Sequence, residues 1–232
     1  QKTTAFRILC TLEAIHYVSR NPDTGRYRLG ARTVDLAARF FSERGIAEIC
    51  RPPLGALVRA FGETASLALR RGNQLIYAAI VESSHSLRMV ATVGEVAPLH
   101  ATALGKAVAS CLSSTELDTM VLQHDLPSYT SHTITHSERL KEELASVKAQ
   151  GYSVDNEEAE PGASCVGAPI LGYLSQPVGA ISVSGPTVRL LSRRDEIIAS
   201  VKQTAAHLSS QFGFLFFLSG EVVTDRKSNF RK

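Results

Sequence analysis

Tryptophan is absent from this sequence, and cysteine occurs only four times in 232 residues, at Cys10, Cys50, Cys111 and Cys165. The cysteines are far apart and form no Cys-x-x-Cys pair, which argues against a zinc ribbon or a disulfide scaffold and suits a reducing cytosol. No run of about 18 apolar residues occurs, so no membrane-spanning helix is predicted, and no signal peptide opens the sequence. We therefore expect a cytoplasmic globular chain without a membrane partner.

The sequence also lacks a large net charge, at +3, but its basic residues are unevenly distributed. Residues 1–32 contain six basic and two acidic side chains, a net charge of +4, whereas the other 200 residues contain 19 basic and 20 acidic side chains. A basic segment beside a nearly neutral body favours a polyanionic partner such as nucleic acid. A solvated surface is the ordinary alternative for such a charge run, and it stays open here.

The basic segment combines a helix with a hairpin. Residues 2–16 carry apolar side chains at helical spacing, which predicts one buried face with polar residues opposite. The following stretch HYVSRNPDTGRYRLG contains the turn residues of a short β-hairpin. A helix followed at once by a basic hairpin is the second half of a winged helix-turn-helix, which places the helix in the DNA major groove and arginines on phosphates. The residues predicted to contact DNA are Lys2, Thr3, Arg7, Arg20, Arg26 and Arg28.

The segment KTTAFRILCTLEAIHYVSRNPDTGRYRLG resembles the recognition helix and wing of the IclR family of bacterial transcriptional regulators. Three later segments, PLHATALGKA, GYSVDNEEAEPGASCVGAPI and VGAISVSGP, resemble that family's effector-binding domain and occur in the same order. The resemblance extends to about Phe214 and departs in one respect. The family's winged domain begins with two more helices, whereas this sequence starts in the turn before the third. We expect either missing upstream residues or a truncated protein, and no complete DNA-binding core from residues 1–30 alone.

Two helices are predicted after the hairpin. The stretch ARTVDLAARFFSERG is amphipathic and follows the wing directly, so it is expected to be a linker helix of the kind that commonly dimerises. A second helix is expected from about Ala47 to Phe61, with a start left open by Pro52 and Pro53. Alternating strand and helix patterns follow, and they include a predicted strand at SLRMVATV.

These patterns indicate the α+β fold class. The resemblance implies a partial winged helix-turn-helix, a linker helix, and a GAF-like effector-binding domain whose antiparallel sheet is flanked by helices. The tail is polar and charged, and it is expected to be disordered. The predicted boundaries are 1–30 for the incomplete DNA-binding domain, 31–46 for the linker and dimerisation helix, 47–216 for the effector-binding domain and 217–232 for the tail.

The loop PLHATALGKA resembles a phosphate-binding motif but lacks its essential residues. A Walker loop needs G-x-x-x-x-G-K-[ST], whereas here Ala107 follows Lys106 and His100 stands in place of the first glycine. No nucleotide site is therefore predicted. His100 is expected to be a local structural residue and Lys106 to have a solvated side chain.

Catalytic and metal sites are also not predicted. The candidates for nucleophilic catalysis are Cys165, Ser182, Ser184 and His100, but no G-x-S-x-G elbow is present. A cysteine in an apolar strand is typically a small buried hydrophobe. A triad assembled only in space stays open. His132 and His136 lie in a threonine-rich, non-helical stretch, and Asp155 with Cys165 lacks an evident third metal ligand. No cofactor is expected.

A ligand pocket is the remaining interpretation of the loop. Thr102 can cap a helix whose first N–H groups, at Ala103 and Leu104, suit a carboxylate. The resemblance implies the same, since in the family this loop closes over a small effector. Ser182 and Ser184 share one strand face, although they could instead bond neighbouring backbone. Positions that match the family's binding residues are Asp155, Cys165, Ser182 and Ser184.

The pocket walls are expected to be apolar and small. Met89 and Leu87 are predicted to form a wall on the strand that approaches the loop, and Ala97 and Ala163 are wall positions implied by the resemblance. The two alanines would leave room for an aromatic ring. No arginine falls in the pocket segments, which favours a small carboxylate or aromatic acid over a multiply charged phosphate.

The sequence thus predicts a ligand-responsive transcriptional regulator without catalytic activity. Its expected partners are double-stranded operator DNA, a small organic-acid effector, and copies of itself as a homodimer or a dimer of dimers. Two alternatives stay open: an enzyme built on the α/β domain, and a sensing or oligomerisation module without a working DNA-binding half. The effector, the operator, and activation versus repression are not specified by the sequence.

Overall fold

The computed structural model describes residues 2–40, 43–122 and 125–213, and the chain divides into two compact units, Gln1–Ile49 and Cys50–Lys232. The boundary lies inside helix α3, Glu43–Phe61. The tail predicted to be disordered, 217–232, lies outside the described residues.

The first unit contains a helix and a hairpin, as predicted. Its elements are α1 (Lys2–Ala14), β1 (Val18–Arg20), β2 (Tyr27–Leu29) and α2 (Arg32–Phe40). The two strands pair antiparallel, with Val18 opposite Leu29. The turn forms because the Asn21 side chain accepts the backbone N–H groups of Asp23 and Thr24, at 2.9 and 2.8 Å.

The structure does not bear out the prediction that α1 buries its apolar face. Phe6, Ile8 and Ile15 are all exposed. Helical periodicity identified the apolar face, but burial requires a covering surface, and among the described residues of the first unit no element covers these three side chains.

Helix α3 begins at Glu43, earlier than the predicted start near Ala47, and it contains both prolines in its interior. Each proline removes a helical hydrogen bond. The fully buried Leu54 and the nearly buried Leu57 anchor the same turns, and this burial outweighs the lost bonds.

The second unit is built on a five-stranded antiparallel sheet in the order β4-β3-β7-β6-β5. Its strands are β3 (Thr64–Arg71), β4 (Gln74–Val81), β5 (Ser153–Asn156), β6 (Ala163–Leu171) and β7 (Pro177–Pro186). Strand β7, although last in sequence, lies in the middle and joins the β3–β4 hairpin to the β5–β6 pair. Residues distant in sequence therefore meet on the central strands.

Helices flank this sheet, which confirms the predicted fold class. They are α4 (Ala103–Ala109), α5 (Ser114–Leu117), α6 (Ser137–Gln150), α7 (Thr187–Ser192) and α8 (Arg194–Gln211). Helix α4 approaches β6 closely, since a Cβ on Gly167 would lie 2.9 Å from the Ala103 carbonyl. Helix α8 packs against β6 and β7, and its Ser209 hydroxyl accepts the Leu171 N–H at 2.9 Å.

The strand predicted at SLRMVATV does not form. Residues 82–102 connect β4 to α4, and the part at 82–95 is irregular backbone. The backbone of this connection pairs with the edge strand β4 only over residues 94–97, where Gly94 N donates to Tyr77 O and Ala97 N donates to Leu75 O, both at 2.8 Å. Residues 86–93 have no neighbouring strand to pair with, so their apolar content alone does not make a strand. Among the described residues, no helix has the length and apolar character needed to span a membrane.

Candidate functional site

A cavity of about 210 Å³ opens beside the sheet, between its central strands, the start of α4 and the loop that precedes it. Seven of the predicted effector residues line it: Met89, Ala103, Leu104, Asp155, Cys165, Ser182 and Ser184. The cavity lies wholly within the second unit.

The start of α4 is capped as predicted. The Thr102 hydroxyl accepts the Gly105 N–H at 2.9 Å and donates to the Pro98 carbonyl at 2.8 Å. Gly105 is required there because a Cβ would lie 2.3 Å from that carbonyl oxygen. The first-turn N–H groups of Ala103 and Leu104 have no acceptor within the helix, which leaves them as donors at the cavity wall.

Strand register assembles the polar floor of the cavity. Asp155 on β5 lies opposite Cys165 on β6, Cys165 lies opposite Ser184 on β7, and Ser184 lies opposite Thr64 on β3. Directly paired residues point to the same face of a sheet. Four side chains from four strands therefore form one row.

The two predicted serines differ in their hydrogen bonding. Ser184 donates to the Thr64 carbonyl across a long 3.4 Å. The Ser182 hydroxyl has no hydrogen-bond partner in the part of the chain that the structure describes, although the residue is buried. A buried hydroxyl that faces a cavity without a partner is available to a ligand.

Asp155 carries a carboxyl group whose pKa is raised toward neutrality. It is only 3% exposed. Burial raises its pKa to about 7, and the nearby charge of Glu158 acts in the same direction. Two backbone N–H groups, of Glu158 at 2.7 Å and Ala159 at 3.4 Å, oppose the rise by bonding its Oδ1. The group can therefore accept or donate a hydrogen bond near neutral pH.

Cys165 does not have the character of a nucleophile. Burial raises the pKa of its thiol well above the ordinary value, and the charge of Asp155 adds to the rise. A thiol held in its protonated form is a poor nucleophile. It lines the cavity as a small, weakly polar side chain.

The raised pKa of Asp155 predicts a pH-dependent stability. Its pKa is about 7 in the folded chain against 3.8 in the unfolded one, so the unfolded chain binds fewer protons between these values. The stability that protonation of Asp155 contributes to the folded chain is fully present below pH 4, and it is lost as the pH rises through 7. Raising the pH from 5.5 to 7 should cost the parent about 1.6 kcal/mol more than the Asp155→Asn variant.

Chemical denaturation of both proteins at the two pH values measures this difference. Asparagine has no charge to bury and can still accept the Glu158 N–H, so it is the matched replacement. An identical pH dependence in parent and variant would contradict the assignment of the titration to Asp155.

Three residues that were predicted to form the pocket wall do not line this cavity. Leu87 is 69% exposed, and Ala97 is fully buried in a hydrophobic cluster with Leu75 and Leu104. Ala163, on β6, lies opposite Pro186 on β7. None of the three lines the cavity. Leu87 lies outside the cavity because the irregular loop at 82–95 turns Met89 toward the cavity and Leu87 away from it. The other two were placed only by resemblance.

The prediction of a solvated Lys106 was also wrong. Its side chain is 1% exposed, and its Nζ donates to Glu158 Oε1 at 2.5 Å and to Glu143 Oε1 at 3.0 Å. The partners lie 37 and 52 residues further along the chain, so local sequence could not identify them. His100 fits its predicted structural role, since its Nε2 lies 3.0 Å from the Pro127 carbonyl and its ring stacks on Tyr129.

Sequence reasoning missed five polar residues that line the cavity: Thr64, Ser66, Tyr77, Glu95 and Glu160. The first two have a local signal, because the pattern TASLALR puts both hydroxyls on one face of β3. Tyr77 comes from β4, and Glu95 and Glu160 come from loops, where side-chain direction follows no fixed period.

The structure supplies no metal site in its described part, where no three histidine, cysteine, aspartate or glutamate side chains converge. His132 lies exposed in a loop and His136 is the exposed residue that precedes α6.

The predicted DNA-contacting residues fall into two groups. Thr3 and Arg7 are exposed on α1, and Lys2 begins that helix. On the hairpin, Arg20 donates to the Gly25 carbonyl and Arg28 donates to the Ser19 hydroxyl, at 3.3 and 2.9 Å. These bonds leave both guanidinium groups exposed but fix their direction. Arg26 is exposed as well.

Comparison with known proteins identifies similar chains over most of the sequence. The family model described as "Bacterial transcriptional regulator IclR C-terminal" matches residues 38–210. The HTH-type transcriptional repressor AllR of Escherichia coli K12 is 31% identical over 214 residues, covering 91% of this chain and 78% of AllR. The Thermotoga maritima IclR structure is 29% identical, with a TM-score of 0.65, and the match covers 90% and 86% of the two chains. An IclR homologue from Microbacterium hydrocarbonoxydans, complexed with 4-hydroxybenzoate, has the same fold at 21% identity and a TM-score of 0.67, over 91% and 86% of the chains.

Proposed function

Because the chain belongs to the IclR family of bacterial transcriptional regulators, we propose that its second unit senses a small organic acid and that its first unit binds operator DNA. The chain is a transcriptional regulator rather than an enzyme, as are the family and its curated relatives. A regulator of this kind acts where the chromosome is, and we therefore place it in the cytoplasm.

The observation that carries the effector proposal is the row of polar side chains that faces the start of α4 across one cavity. The carboxylate of the effector would accept hydrogen bonds from the N–H groups of Ala103 and Leu104 and from the hydroxyls of Ser182 and Ser184. Asp155 and Cys165 form the other polar edge, and Met89 supplies an apolar wall.

Calorimetric titration with acids and their neutral amides tests this proposal. Suitable pairs are pyruvate with pyruvamide and 4-hydroxybenzoate with 4-hydroxybenzamide, the second because a homologue of the same fold is complexed with that acid. We expect each acid that binds to bind about tenfold or more tightly than its amide, since bonds to a charged acceptor are the stronger ones. Equal affinity for acid and amide would contradict a carboxylate site.

The effector would alter DNA binding by shifting an equilibrium between two arrangements of the assembled protein. Such a shift requires that the effector bind one arrangement more tightly than the other. We propose a homodimer or a dimer of dimers, with the amphipathic helix α2 (Arg32–Phe40) of the predicted 31–46 linker as a contact between copies, and a pseudo-palindromic operator to match.

The first unit would bind DNA through α1 in the major groove and through the hairpin arginines on phosphates. The exposed Arg26 is the clearest test of the hairpin. In the full-length protein, Arg26→Ala should weaken binding to all DNA sequences alike and reduce the slope of log affinity against log salt by about one. Arg7→Ala should change sequence preference more than overall affinity.

Fluorescence anisotropy over a range of salt concentrations measures both effects. Arg194→Ala removes the same charge from the exposed start of α8 in the other unit, and it serves as the control for net charge. If Arg26→Ala and Arg194→Ala have the same salt slope as the parent, the hairpin does not contact phosphate.

A further inference from the structure

The charge lining the effector cavity is entirely acidic. Asp155, Glu160 and Glu95 all line it, and among the described residues no lysine, arginine or histidine does. We propose that the effector carries a cationic group of the ammonium type in addition to its carboxylate, and that this group faces Asp155 and Glu160. The proposal rests on the proposed function for the location of the site and adds the chemical class of the ligand.

Asp155 is the innermost of these acceptors. Its Oδ1 accepts two backbone N–H groups, whereas its Oδ2 has no hydrogen-bond partner within the described part of the chain. The side chain is buried, so water competes little for that oxygen. This carboxyl group is partly ionised near neutral pH, and a charged donor beside it would satisfy that oxygen most strongly and would favour the ionised form.

Glu160 and Glu95 extend the acidic surface from the interior to the mouth. Both residues are exposed and both line the cavity. The charges of Asp155 and Glu160 each raise the pKa of Cys165, which places both carboxyl groups around that thiol. Glu95 lies toward Tyr77, whose pKa is raised first by burial and then by charges that include Glu95. A ligand that enters therefore passes carboxylates on two sides.

Among the described residues, no basic side chain contacts this acidic surface from within the cavity. The ammonium group of Lys106 is bound by Glu158 and Glu143 and does not line the cavity, and its charge opposes only in part the burial that raises the pKa of Asp155. A purely anionic effector would meet repulsion from the rim, whereas a cationic group would be attracted to it. The described residues also lack a metal-binding cluster, so an organic cation is the fitting counter-charge.

Two aromatic acids of nearly equal shape test the proposal by calorimetry on the full chain. 4-(Aminomethyl)benzoate carries an ammonium group where 4-(hydroxymethyl)benzoate carries a hydroxyl. We expect the amine to bind at least about tenfold more tightly, because a charged donor to a carboxylate is roughly twice as strong as a neutral one. Equal or weaker binding of the amine would overturn the proposal.

A charge-neutral variant then identifies the residue that recognises the cation. Glu160→Gln should reduce the preference for the amine several-fold, with little change in the affinity for the alcohol. Glu138→Gln, on the exposed surface of α6 and outside the cavity, should leave the preference unchanged. An unchanged preference in Glu160→Gln would show that the ammonium group lies elsewhere and would overturn the assignment.

A third ligand separates this proposal from the proposed function. Benzylamine has the ammonium group without the carboxylate, and it should bind at least tenfold more weakly than 4-(aminomethyl)benzoate. Equal binding of benzylamine would refute the carboxylate site but leave the cation inference standing. Binding of 4-(hydroxymethyl)benzoate with no preference for the amine would support the carboxylate site and refute the cation inference.

Discussion

Replacing Lys106 with methionine is expected to lower the free energy of unfolding by about 3–5 kcal/mol. The lysine is 1% exposed and holds Glu158, whose side chain is 9% exposed and whose Oε2 has no hydrogen-bond partner among the described residues. Removal of the ammonium group leaves a buried carboxylate with no compensating charge, and that uncompensated charge, rather than lost packing, is the main cost. Urea denaturation at pH 7 measures the change.

Two further variants separate charge from volume. Glu143→Gln should cost less than about 1 kcal/mol, because that partner is one-third exposed and solvent screens its interaction. The double variant Lys106→Met with Glu158→Leu should recover most of the loss, since a buried pair can be replaced by apolar side chains at little cost. A double variant no more stable than Lys106→Met alone would contradict the charge explanation.

The same lysine also positions the effector cavity. Glu158 is held by Lys106 through its side chain and donates its backbone N–H to Asp155 Oδ1 at 2.7 Å. Thr133 fixes the same turn by donating to the Glu158 carbonyl at 2.6 Å. Because α4 carries Ala103 and this turn carries Asp155, the ion pair connects two walls of one cavity.

Loss of both cavity serines should abolish most acid binding. The double variant Ser182→Ala, Ser184→Ala removes two hydroxyl donors, and hydrogen bonds to a charged group contribute about 1.5–3 kcal/mol each. We expect the Kd for 4-hydroxybenzoate, or for whichever acid of the panel binds most tightly, to rise about 100-fold or more. Isothermal titration calorimetry measures it, and circular dichroism confirms that the fold is retained.

Ser164→Ala is the matched control for this variant. Ser164 is a buried serine on the adjacent strand β6, and its hydroxyl pairs with Thr187 at 3.0 Å rather than lining the cavity. It should leave acid affinity unchanged within about twofold. Undiminished acid binding by the double serine variant would contradict the site.

The sequence by itself determined the elements and some local contacts of the site. The strands β3 to β7, the helix that starts after Thr102, and the hairpin of the first unit follow from periodicity, capping and turn residues. Ser182 and Ser184 could be assigned to one face because strand geometry repeats every two residues. Each of these features depends on residues only a few positions apart.

Only the tertiary structure decided which of these elements meet. Strand register brought Thr64 opposite Ser184, 120 residues away, and burial joined Lys106 to Glu158 across 52 residues. The loop at 82–95 was mistaken for a strand because apolar composition does not reveal whether a partner strand exists. Pairing, burial and counter-charge depend on the surroundings that distant segments create, and no local pattern in a single sequence encodes them.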